Sequence, residues 1–154
     1  MDFKQLDRGE LIAVLGGILL GVSLFHEWYT LGNINARLHS CHGPNSSCTG
    51  WAALPVVRFL LLLAAASPAI LAYIIVRGHA LSWPRGELTA VTALAALTFI
   101  IFEGVIDRPG SPPAEIEVGY GWWVALLGGL LILLGSIWRS RLEGSVKRKP
   151  PGVL

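Results

Sequence analysis

The chain has 154 residues, of which 53% are hydrophobic and 14% charged, with a formal net charge of +2. Soluble domains carry about 25% charged residues, so this composition excludes an ordinary water-soluble globule. Its basic residues lack a folded aromatic platform, which argues against nucleic acid as a partner, and the balance fits a membrane protein.

A spanning helix needs about 20 mainly apolar residues. After a short lead holding Lys4 and Arg8, the first apolar run, Leu11 to Phe25, reaches that length if Glu10, His26 and Glu27 sit at interfaces, giving a span over about 9–27. His26–Leu31 (HEWYTL) follows where a signal cleavage site needs small residues, so the run reads as a retained anchor. Its stretch AVLGGILLG, residues 13 to 21, offers Gly16, Gly17 and Gly21 as a helix-packing face, since glycine lets backbones approach closely.

Residues 38 to 48, LHSCHGPNSSC, hold both cysteines of the chain. A Cys41–Cys48 disulfide is expected if the stretch lies outside the cytoplasm, with Gly43 and Pro44 turning the chain between them. Two alternatives stand beside it. His39, Cys41, His42 and Cys48 could be four zinc ligands, though their spacing is crowded. A thiol redox role would resemble four-span thiol oxidases, but the close Cys-x-x-Cys pair and a second pair are missing.

The second run, Leu54 to Val76, is expected to span over about 53–76, with Pro55 in its first turn and Pro68 kinking it. Arg58 lies inside this run, about 10 Å deeper than Trp51 at ~1.5 Å per residue, and intramembrane charges usually face a partner or a cavity. Residues 82 to 87 read as a turn into the third span, about 87–106, which ends at Glu103 and Asp107. The connection IDRPGSPPAEIE is proline-rich and expected to be irregular. The fourth span, about 120–138, carries ALLGGLLILLG with Gly128, Gly129 and Gly135, echoing the first span by chance recurrence or by duplication. Residues 144 to 154 form a basic tail that fixes topology and could attract anionic lipid.

Nine basic residues flank the termini and the middle loop, against Arg37 and Arg108 in the other two loops. The positive-inside rule then puts both termini in the cytoplasm and residues 28 to 52 and 106 to 119 outside. Trp28, Tyr29, Trp51, Trp122 and Trp138 fall near span ends, as a boundary belt would. His26, Glu27, Arg58, Glu103 and Asp107 reach a similar depth, which predicts an intramembrane polar cluster with Arg58 paired to Glu103 or Glu27. A lone Arg58 reaching outward along its own stem, or a substrate path, are the alternatives.

LFHEWYTLGN at the end of the first span and GYGWWVALLGGLLILLGS in the fourth resemble small four-span membrane proteins of actinobacteria. Those carry Leu-Phe-x-x-Trp-Tyr and Tyr-Gly-x-Trp at these places, and no settled activity comes with the likeness. Trp28, Cys41, Cys48 and Arg58 also occupy places similar to those in claudin-like tetraspan proteins, without the Gly-Leu-Trp stretch those proteins carry. The expected fold is all-α and integral to the plasma membrane: four transmembrane helices in a bundle over residues 1–143, with a disulfide-stapled first outer loop. The expected function is a non-enzymatic scaffold, assembly factor or accessory subunit without a cofactor or metal, in contact with the bilayer and a membrane-protein partner or its own copies. The alternative is a small oligomeric transporter or channel component using Arg58 and Glu103.

Overall fold

The computed structural model describes residues 7–32, 36–38, 41, 47–77 and 85–146, with backbone alone at 85 and 142–146. Helix α1 (Arg8–Ser23) opens on a capping box in which the Asp7 carboxylate accepts the Glu10 N–H and the Glu10 carboxylate accepts the Asp7 N–H at 3.3 Å; the Asp7 carboxylate also accepts the Arg8 N–H at 2.8 Å. Strand β1 (Glu27–Leu31), strand β2 (Ser47–Thr49), the short helix α2 (Gly50–Ala53) and helix α3 (Val57–Val76) follow. Helix α4 (Arg85–Ile101) continues into a π-helical turn (Phe102–Ile106); a 3-10 turn (Pro113–Glu115), strand β3 (Ile116–Val118) and helix α5 (Tyr120–Val146) complete the order.

The protein is mostly helical, and three stretches, Val57–Val76, Gly86–Ile106 and Tyr120–Arg141, are long and apolar enough to cross a membrane. Helix α1 has 16 residues and measures ~24 Å, shorter than these. Its helix stops at Ser23 because the Trp28 indole N–H folds back onto the Ser23 carbonyl at 2.8 Å, taking up one of the acceptors a helix C-terminus leaves open. Glu27, expected as the interfacial end of the first span, instead begins a strand.

That strand corrects the all-helical expectation. EWYTL is rich in aromatic and β-branched residues, which suit a pleated, half-buried surface. β1 is the centre of a three-stranded sheet of order β2-β1-β3, antiparallel on both sides, with Tyr29 opposite Cys48 on one side and Val118 on the other. The connection expected to be irregular thus supplies one edge of the sheet.

Helices α1 and α5 run antiparallel and touch backbone to backbone. A Cβ at Gly16 would lie 2.7 Å from the Gly128 carbonyl oxygen, and one at Gly128 would lie 2.7 Å from the Leu20 nitrogen. Gly135 sits against Gly9 and Ala13, Gly129 against Leu97 of α4, and Gly17 and Gly21 against Ala65 of α3. All six glycines picked out as a packing face therefore meet other helices of the same chain. Pro68 is buried against Gly17, and α3 continues through it from Val57 to Val76. Proline cannot donate to the Ala64 carbonyl, and the Ser67 hydroxyl does so instead at 2.9 Å. Helix α5 runs to Val146, past the expected end of the fourth span at 138; residues 147 to 154 of the tail lie outside the described residues. Because β1 leaves α1, β2 leads into α2 and α3, and β3 leads into α5, the sheet closes one end of the helices, opposite the chain termini.

Candidate functional site

The sheet end gathers most of the residues singled out from the sequence. Trp28 and Tyr29, expected in a boundary belt, are each 0% exposed and form core. Trp122 is also buried, and its indole donates to the Ile100 carbonyl at 2.8 Å, in space left open by Gly104 of the π-helical turn. Tyr29 donates its hydroxyl to the Glu103 carbonyl at 3.2 Å. Burial, and then the neighbouring Glu103 charge, push the Tyr29 hydroxyl well above the ordinary tyrosine range, so it remains a donor at neutral pH. These bonds tie β1 to the far ends of α1 and α4.

The expected ion pair of Arg58 with Glu103 or Glu27 does not form. Arg58 donates from Nη1 to the Trp51 carbonyl at 2.9 Å, and its guanidinium lies 4.7 Å from the Trp51 ring centre and 4.9 Å from that of Phe59. Helix α2 holds Trp51 just outside the start of α3, so the cation finds a carbonyl and two aromatic faces without leaving its own segment. Glu27 accepts the Ser47 hydroxyl at 2.8 Å, His26 Nδ1 pairs with the Tyr120 hydroxyl at 2.8 Å, and Asp107 is exposed beyond the π-helical turn. The five residues share an end of the molecule but not a cluster.

Cys41 and Cys48 form a disulfide, with Cα atoms 5.8 Å apart. Cys48 belongs to β2, so the bridge fastens the loop to the sheet; His39 and His42 of the zinc alternative lie outside the described residues. The same loop is held from its other side, where Arg37 and Ser111 exchange backbone hydrogen bonds of 3.1 and 3.0 Å. Arg108, which the sequence marked only as a charge in an outer loop, donates to the Gly104 carbonyl at 2.8 Å and the Ile116 carbonyl at 2.6 Å, joining the π-helical turn to β3.

The opposite end holds a feature that sequence reasoning missed. Glu10 and Arg139 form an ion pair between α1 and α5, with side chains 5% and 10% exposed. Beside it the Ser136 hydroxyl lies 2.8 Å from that of Thr89, linking α5 to α4. Glu10 read as an interfacial charge and Arg139 as a topology marker. The available signal was positional: Asp7-x-x-Glu10 spells a capping box, and Arg139 follows Gly135 by one helical turn on the face that meets α1.

Compared with known proteins, the chain matches no family model, no curated protein and no solved structure.

Proposed function

We propose that the chain is a four-span protein of the plasma membrane that presents its sheet end, outside the cytoplasm, to a protein partner as a non-enzymatic scaffold, assembly factor or accessory subunit. The fourth span in this reading is α1. Leu11, Leu15, Ile18 and Val22 recur every three or four residues along it, Phe25 follows just past its end, and all five are exposed, a stripe that water would penalise and lipid would cover. The basic residues around the termini and the middle loop put those ends in the cytoplasm.

The presentation role rests on one observation: five side-chain donors of the sheet end are spent on backbone carbonyls. Trp28, Tyr29, Arg58, Arg108 and Trp122 each donate to a main-chain carbonyl. Groups so committed fix a surface, whereas a transport path or an active site needs side chains free to meet a substrate. Arg58, the residue on which the transport alternative leaned, is turned onto Trp51.

A photo-crosslinking residue in place of Glu117, exposed on β3, tests the idea in native membranes. A discrete adduct with a second protein, lost when Cys48→Ser releases the loop, supports presentation. Labelling confined to lipid and water in every growth condition sinks it. Topology is checked separately with an impermeant thiol reagent applied after reduction: Cys41 reacts from outside intact cells if the sheet end faces outward.

A further inference from the structure

A groove of about 270 Å³ opens between α3 and α4. Its walls are Leu63, Ile70 and Ile74 of α3 and Leu88 of α4, and its floor is made by Ser67 and Thr92, whose hydroxyls lie 3.1 Å apart. The floor is satisfied internally, because Ser67 also donates to the Ala64 carbonyl and Thr92 to that of Thr89. What the groove offers an occupant is therefore apolar surface. Leu63, Ile70 and Leu88 are exposed, and both helices belong to the stretches apolar enough to cross a membrane.

Three dimensions choose the occupant. From Leu63 to Ile74 the groove follows α3 for ~16 Å at ~1.5 Å per residue, which matches one leaflet of a hydrocarbon core about 30 Å thick. The groove's volume approaches the ~300 Å³ of the smallest ligand pockets, which suits a slender apolar chain lying along the helix. Arg77, exposed with its guanidinium 5.1 Å from the Tyr73 ring centre, stands about one turn beyond Ile74 at the end of α3. The helix that walls the groove thus ends on a cation.

We infer that the α3/α4 groove is a binding site for one acyl chain of an anionic phospholipid from the leaflet on the side of the chain termini, with its phosphate at Arg77. The inference rests on the membrane-spanning reading of α3 and α4, although not on the proposed partner. Ile70 and Leu88 form the two walls, so a larger side chain at either position closes the groove from the outside without entering the helix core.

The full chain, purified in a mild detergent, is titrated with phosphatidylglycerol and with phosphatidylcholine and followed by native mass spectrometry. The wild type is expected to saturate at one phosphatidylglycerol per chain. Ile70→Trp and, as an independent second variant, Leu88→Trp should weaken that binding by about tenfold or more, with unchanged helical circular dichroism. Arg77→Gln should abolish the preference for phosphatidylglycerol over phosphatidylcholine while leaving the chain bound. Unsaturable binding, or binding and head-group preference unaltered in all three variants, overturns the site. Alkaline carbonate washing of native membranes separates the two failures: a chain released by carbonate refutes the spanning reading itself, whereas a chain retained there without the lipid effect refutes the groove alone.

Discussion

The α1–α5 seam and the α3–α4 face are built from similar material, alanine, glycine, leucine and small hydroxyls, yet they pack differently. Along the seam, glycines at matching heights let two backbones touch, and the one ion pair among the described residues is sealed beside Gly9 and Gly135. Across the other face the helices meet through the Ser67 and Thr92 hydroxyls and leave a groove. Composition alone does not make a tight helix contact. Glycine must fall at the point of closest approach, because a Cβ there would hold the backbones apart.

The contrast can be broken at the seam and sharpened at the groove. The largest effect is expected from Arg139→Gln or Glu10→Gln, which removes one charge of a buried ion pair and should cost about 3 to 5 kcal/mol, read as a lowered thermal midpoint in detergent; Glu10 and Arg139 exchanged together should recover part of it. Gly128→Ala comes next, since its Cβ would press on the Leu20 backbone, with an expected loss of about 1 to 3 kcal/mol. The same change at Gly21, where a Cβ would meet Ala65 at an ordinary 3.8 Å, should be close to neutral. Equal effects at the two glycines would end the argument that register makes the seam. Cys48→Ser should cost about 2 to 3 kcal/mol in the stability of the sheet end, visible as faster amide exchange in β1 and β2 with the seam unchanged. Ser67→Ala should have a small effect, about 1 kcal/mol or less for one hydrogen bond to the Ala64 carbonyl.

Much of the helical layout was legible because it is written in runs. Val57–Val76 and the start of α5 at Tyr120 follow from apolar length and from the glycine and proline residues that bound them. The disulfide could be foreseen from two cysteines in one loop and the side of the membrane assigned to it. The sheet was overlooked because Trp28 and Tyr29 carry two signals at once: aromatic residues at a span end suit a boundary belt, and in EWYTL they equally suit a strand. Periodicity cannot separate the two over five residues, and the choice fell to whether partners existed at Ser47–Thr49 and Ile116–Val118. Arg58 was mispaired for a related reason. Depth along a helix says which charges share a level, but not which way a flexible side chain turns, and Arg58 turns onto a carbonyl and two rings within its own segment.

What the sequence determined by itself was apolar length and charge placement: four spans were expected, three of them are helices long and apolar enough to cross a membrane, and the basic residues gather at the ends and middle loop. What the tertiary structure alone decided was which polar groups meet. Glu10 and Arg139 are 129 residues apart, and the local signals at each, a capping box and a place one turn past Gly135, do not by themselves name the other. Their pairing follows from the antiparallel register of α1 and α5, which is set by where glycines allow close approach, and register is a property of two helices together.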